Sequence, residues 1–228
     1  QALLRSHCPD IVAPLSDMTL RNMLSPDSWT IPENEYGSRR SFSAFTVKGR
    51  GPRQVAFSVD PHGFDSLMIG VHVSDITYFI QANGALDREA RRRGASVHLV
   101  QQSFEMLPPD LLRLAALHVN SDALSKSVVF TLQSDRVVDI WIGRSIVHVK
   151  HITSYAELDR VLQGETTSLP VTPDRLRTVL DKAQELRSER LARGGLHIPR
   201  TWLEFDLDAK QRPTNVHCCT DAGSLSQV

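Results

Sequence analysis

The chain has 228 residues, of which 26 are basic and 26 acidic, so its formal net charge is zero. That balance excludes a polycationic tail that coats nucleic acid by charge alone, while leaving room for a local basic groove. With 41% hydrophobic and 23% charged residues, the composition is that of a folded chain and not a disordered one. No apolar run reaches the roughly 18 residues of a membrane span, and the first residues carry no signal-peptide core. Cys8, Cys218 and Cys219 make a poor disulfide framework, being odd in number with two adjacent. They read as reduced thiols of an intracellular protein, in cytoplasm, nucleus or mitochondrion. A metal site at His217, Cys218 and Cys219 is weighed against plain thiols. The thiols are preferred, because no second ligand pair follows at zinc spacing.

Residues 1–54 hold short apolar patches between Pro9, Pro14, Pro26, Pro32 and Pro52. A helix end is expected at Leu3 to Ser6, and a short helix over Ser16 to Leu24 that closes before Pro26. Residues 37–53 carry Arg39, Arg40, Lys48, Arg50 and Arg53 among Gly37, Gly49 and Gly51. They read as a basic, flexible linker, with phosphate contact as the functional alternative. Val55 to Val59 alternates as a strand, broken at Asp60-Pro61-His62-Gly63. Leu67 to Val73 is nearly all apolar, which predicts a strand covered on both faces, continued by Ile76 to Ile80. A polar helix is expected from Leu86 to Arg93 with Gly94 as C-cap. A strand follows at Ala95 to Val100, then a helix opened by Pro108 and Pro109 and running through Ala116.

Ser127 to Leu132 and Val137 to Lys150 are rich in β-branched residues and predict a hairpin or meander. A helix begins near Thr153-Ser154, with one of them as cap and Glu157 in its first turn, and stops at Gly164. The clearest helix spans 173–193, where Leu176, Val179, Leu180, Ala183 and Leu186 make one apolar stripe. Trp202 to Leu207 alternates as a strand, and Asp208 to Arg212 turns. The pattern as a whole is α+β, with a mixed or antiparallel sheet over Val55 to Val149 and the helix 173–193 packed on it. The domain division read here is a pre-domain segment, 1–54, and a main domain, 55–228.

Several motifs resemble, in order, those of the RNB catalytic domain of the RNase II/R exoribonuclease superfamily. Ser58-Val59-Asp60-Pro61 is similar to the opening T-I-D-P of that domain. Ile69 through Ile80, IGVHVSDITYFI, is similar to VGVHIADVSYFV. Leu86-Asp87-Arg88-Glu89-Ala90 with Arg93-Gly94 and Ser96-Val97 is similar to LDxEAxxRGxSVY, and Met106-Leu107-Pro108 to the end of PMLP. Ile142 to Ser145 leading to Tyr155-Ala156-Glu157 resembles IRSKARLTYEEAQ. Leu186-Arg187, Arg190, Gly194 to Leu196 and Leu203 to Asp206 resemble LRxxR, GALxL and xEFxLD. Six motifs in register cover nearly the whole chain, and residues 1–54 resemble the linker ahead of the domain.

The resemblance implies metal-assisted hydrolysis of RNA from its 3′ end. In the family, a DxDDA cluster after the opening motif gathers carboxylates around Mg²⁺, a hard cation that takes oxygen ligands. Here Asp60 matches the opening aspartate and Asp65 can be one cluster acid, but the paired aspartates are absent. Asp60 and Asp65 are the remnant catalytic and metal candidates. Asp75 matches a position read as structural. His62 and His72 are weighed as ligands against ordinary packing. The family's Asp-Arg pair reads Asp122-Ala123. Thr214 to Val228 is expected to approach the family's AHxLIEEFM helix, with Gln227 at its first glutamate, so the domain reads as incomplete at its C-terminus.

Single-stranded RNA requires cations along its backbone and aromatic planes for its bases. Tyr155 matches a tyrosine that contacts the RNA end in family members. Arg93 matches the arginine of the RG motif, and Tyr78 is the third candidate, with Phe79 read as packing. Arg91 and Arg92 read as a solvated helix face, as do the six basic and four acidic residues of 174–193. Three readings follow. The first is a catalytically degenerate, RNA-binding member acting within a complex. The second is part of an active, Mg-dependent 3′–5′ exoribonuclease. The third is a structural subunit, whose tryptophan segments around Trp29, Trp141 and Trp202 meet a protein partner or the second half of the domain.

Overall fold

The computed structural model describes residues 29–48, 54–63, 65–100, 102–134, 136–165, 169–196, 201–210 and 212–220, and the side chains of 201, 202, 219 and 220 lie outside that description. The helices expected within residues 1–28 also lie outside it, as do Arg50 and Arg53. In chain order the elements are α1 (Glu33–Ser38), β1 (Arg40–Val47), β2 (Val55–Pro61), β3 (Ser66–Ser74), a 3₁₀ turn (Ile76–Tyr78) and α2 (Ala85–Arg93). They continue with β4 (Val97–His98), β5 (Ser103–Phe104), α3 (Pro109–Leu114), β6 (Asp122–Gln133), β7 (Arg136–Thr153), α4 (Tyr155–Leu162), α5 (Pro173–Ala192), β8 (Thr201–Leu207) and β9 (Pro213–Thr220). The architecture is α+β. It divides into two units, one built from the described parts of 31–74 and 116–200, the other from 75–115 and 201–219 with Trp29 and Thr30.

In the first unit, five alternating segments close into a barrel in the order β1-β2-β3-β6-β7. Neighbours run antiparallel except β1 and β7, whose parallel pairing closes the ring. Closure removes the unpaired strand edges that an open sheet would expose. Ala44, Ala56, Ala123, Val147 and Val149 from four strands meet Leu117 in one core cluster. Small side chains suit the narrow interior of a small barrel. A second cluster joins Phe45 and Val59 to Leu158 and Val161 of α4 and Leu176 of α5. Burying a leucine such as Leu176 contributes about 1.5–3 kcal/mol, and this cluster is what holds the two helices on the barrel wall.

A polar column interrupts the apolar interior. His72, with no exposed surface, lies between the hydroxyls of Ser127 (2.6 Å from Nδ1) and Ser58 (3.0 Å from Nε2). Ser127 in turn meets Ser145 at 2.5 Å. Gly70 is required beside this column, because a Cβ there would collide with the Ser58 hydroxyl and the His72 ring. Burial pushes the His72 pKa down to about 4, so the ring is neutral near pH 7. His72 is thus a satisfied core residue. On the flank of the barrel, Glu35 of α1 accepts from Arg39 at 2.5 Å and Arg144 at 2.9 Å, and the Tyr36 hydroxyl donates to Asp122 at 3.0 Å. These bonds fix a helix too short to persist alone.

Several elements differ from the sequence reading. Arg40–Val47, taken as part of a flexible linker in the pre-domain segment 1–54, is a barrel strand that buries Ala44, Phe45 and Thr46. Its alternation is masked in sequence by the flanking arginines and glycines. Ile76 to Ile80 does not extend β3. Asp75 accepts from the Thr77 hydroxyl at 2.7 Å and its carbonyl accepts from the Tyr78 amide at 3.1 Å, which coils the chain into the 3₁₀ turn. The strand expected over 95–100 shrinks to Val97–His98, paired with Ser103–Phe104. The segment expected to approach a helix from Thr214 is a strand through Thr220, paired with β8 in a two-stranded sheet. The helix 173–193 forms as expected, but its stripe is covered only at the start: Leu176 is 5% exposed and Leu186 50%.

Candidate functional site

Asp60 is the second-last residue of β2, opposite Met68 of β3. Between Pro61 and Ser66 the chain reverses through Gly63 and Asp65, both with positive φ, 67° and 58°. Aspartate is among the few residues besides glycine that enter the left-handed region readily. The Asp65 carboxylate accepts a long hydrogen bond, 3.4 Å, from the hydroxyl of Ser134 at the β6–β7 turn. An open cleft of about 430 Å³ lies here, lined by Asp65, Ser66, Ser134, Asp174, Arg175 and Thr178 among others. The start of α5 supplies the last three. Burial raises the Asp60 carboxyl above the usual carboxylate range, while the positive charges of Arg175 and Lys150 pull it back down.

This donor set does not fit the Mg²⁺ that the resemblance implies. Two carboxylates, Asp60 and Asp65, come from the matched motif, and Asp60 already has two cationic neighbours. Among the described residues no three His, Cys, Asp or Glu side chains gather as a metal centre. His62 is exposed on the turn. On β9, His217 is held by Asp206 at 2.8 Å, and Cys218 beside it is exposed. The Cys219 side chain lies outside the description.

Two cations near Asp60 escaped the sequence reading. Arg175 was counted among the interspersed charges of its helix, although its place two residues after the Pro173 start is a usable signal. Lys150 did have a signal: counted back five residues from Tyr155, it falls on the lysine of the IRSKARLTYEEAQ motif, whose start is matched to Ile142 to Ser145. In the structure, Ala44 of β1 pairs with Val149 and Phe45 with His151, so Lys150 is an extra residue without an opposite number on β1. Such a bulge re-aims a side chain and is common beside functional sites.

Tyr155 is the first residue of α4, a few residues beyond Lys150. The Ser154 hydroxyl caps the helix by accepting from the Glu157 amide at 3.2 Å. The Glu157 carboxylate accepts from buried Thr153 Oγ1 at 3.0 Å and lies 3.7 Å from His151. These bonds fix the first turn, so the Tyr155 ring is presented on a rigid element. The ring is 45% exposed, and its hydroxyl meets no partner among the described residues.

The other two candidates belong to the second unit. Arg93 is 7% exposed, bonded through Nε to Glu89 at 3.0 Å and through Nη1 to the Glu105 carbonyl at 3.3 Å. Its guanidinium ties the end of α2 to the segment after β5. Tyr78 is half-buried in an aromatic cluster, edge-on to Phe79 with centroids 5.3 Å apart and to Trp29 at 6.2 Å. Phe79 packs on Trp29 at 4.9 Å. Arg91 and Arg92, read as solvated, are exposed and paired with Asp87 and Glu89.

The comparisons with known proteins agree with this geometry. The chain is 32% identical to DIS3-like exonuclease 2 of Schizosaccharomyces pombe over 93% of its own length and 25% of that protein. It spans about a quarter of the length of the curated relatives it matches. A solved structure of yeast Ssd1, a pseudonuclease, matches 72% of the chain and 21% of its own, at 26% identity and a TM-score of 0.61. Mycoplasma genitalium RNase R in complex with ribose-methylated single-stranded RNA matches 95% of the chain and 35% of its own, with a TM-score of 0.78. At 15% identity the last likeness shows the fold. The model of the RNB domain matches residues 39–226, and the chain belongs to the RNB domain family.

Proposed function

We propose that this chain holds single-stranded RNA without hydrolysing it, as part of an RNase II/R-type protein of RNA metabolism. The observation that carries the reading is the short β2–β3 turn. It leaves Asp60 and Asp65 as the motif carboxylates and sets Arg175 and Lys150 in the field of Asp60. A hard cation in a two-metal displacement needs several carboxylates, and cations beside Asp60 oppose its uptake. The kinship with Ssd1, a pseudonuclease, supports a member of this family that lacks hydrolysis. The RNA-bound state of the RNase R neighbour supports single-stranded RNA as the ligand. In this reading Arg93, buried and paired, belongs to the scaffold, and Tyr155 meets the RNA.

The second reading is part of an active, Mg-dependent 3′–5′ exoribonuclease. Its support is the kinship with an exonuclease four times the span matched here. A protein partner, or the remainder of a longer chain, then completes the site, and the compartment in both readings is intracellular. Tyr155 tests the RNA-holding reading. Stacking of a base on an aromatic ring contributes about 1–3 kcal/mol, or about tenfold to a hundredfold in affinity. Titration of a labelled oligoribonucleotide is expected to show such a loss in Tyr155→Ala, with an unchanged circular dichroism spectrum. An equal affinity in parent and variant removes Tyr155 from the interface, and a parent without RNA affinity at low salt leaves the structural-subunit reading in place.

A further inference from the structure

We propose that Lys150 is a phosphate-contacting residue, set toward the RNA backbone by the β7 bulge; the proposal rests on the RNA-holding reading above. Three observations carry it. Lys150 is the extra residue where the β1–β7 pairing slips between Ala44/Val149 and Phe45/His151. A bulge locally bends a strand, breaks its ladder and re-aims a side chain. Lys150 is exposed and makes no ion pair among the described residues. It shares this with Lys48 and Arg136, whereas Arg39 and Arg144 pair with Glu35, and Lys182 with Glu185. Finally, Lys150 is linked to both candidate residues, to one by charge and to the other along the chain. It acts electrostatically on Asp60, and it precedes by five residues Tyr155, whose helix turn is pinned to Thr153.

A lysine is suited to this task as a point charge that needs no fixed fork geometry. The contact is therefore blind to base identity and acts on the backbone next to the base on Tyr155.

The salt dependence of binding tests this directly. Each phosphate contact to a single strand contributes about 0.7 to the slope of log K against log salt. With the 228-residue chain and a labelled single-stranded oligoribonucleotide, Lys150→Gln is expected to flatten that slope by about 0.7. It should weaken binding to homopolymers of different bases by the same factor. Lys150→Arg should keep the parent slope, and Lys182→Gln, which removes a paired cation, should also leave it unchanged. A parent that binds RNA, with an unchanged slope in Lys150→Gln, overturns the phosphate contact and leaves the RNA-holding reading standing. A melting temperature that falls while the slope holds assigns Lys150 to Asp60 alone and equally overturns it. A parent without RNA affinity overturns both.

Discussion

His72 shows how one buried side chain sets a condition on the whole barrel. Both of its ring nitrogens face neutral hydroxyls, from Ser58 and Ser127, and its folded pKa lies near 4 against about 6.5 unfolded. Above pH 6.5 both states leave the ring neutral, so it adds no pH dependence. As pH falls from 6.5 toward 4, the unfolded chain gains a proton that the folded chain resists, and stability declines by about 3 kcal/mol. Urea unfolding across that range is expected to show this decline in the parent and a flatter curve in His72→Gln, with matching curves excluding the role. Gly70→Ala is expected to destabilise at all pH values, because the added methyl meets the same serine and histidine. The sequence pattern identified His72 as an ordinary core histidine, but its serine partners come from strands far apart in the chain and leave no local trace. Asp60, Asp65 and Tyr155 were singled out through their motifs, and Lys150 falls on the lysine of the last of them, while its place at the bulge needed the register of two strands.

At the level of elements, periodicity found the helices that end in clear caps and missed those defined by partners. The helix Tyr155–Leu162 was legible because Ser154 and Glu157 form its start, and the bond is present at 3.2 Å. Ser154→Ala is expected to lower stability by about 1 kcal/mol, measured by chemical denaturation. No change would show that the Thr153–Glu157 bond alone holds the turn. The strand Arg40–Val47 was read as linker, since its pairing with β7 lies more than a hundred residues away in sequence. In α5 the apolar stripe was read as one buried face, yet burial ends near its middle. Leu176→Ala is accordingly expected to cost about 2–5 kcal/mol. Leu186→Ser, at a 50% exposed site, is expected to stay within about 0.5 kcal/mol. Equal losses would mean that the far half of the helix is covered in solution.

Across the whole molecule, the α+β class and the RNB family were readable because six motifs keep their order. The closed barrel was not, because closure depends on one parallel strand pair that has no signature in either strand. The proposed RNA-holding reading and the exonuclease reading differ in one outcome, RNA released intact or released shortened, and the carboxylate set is what separates them. The direct measurement is incubation of a 5′-labelled single-stranded oligoribonucleotide with this chain in Mg²⁺ or Mn²⁺, followed by a denaturing gel. The account predicts full-length RNA at every time point, the same as for Asp60→Asn. Progressive shortening by the parent that disappears in Asp60→Asn would contradict it.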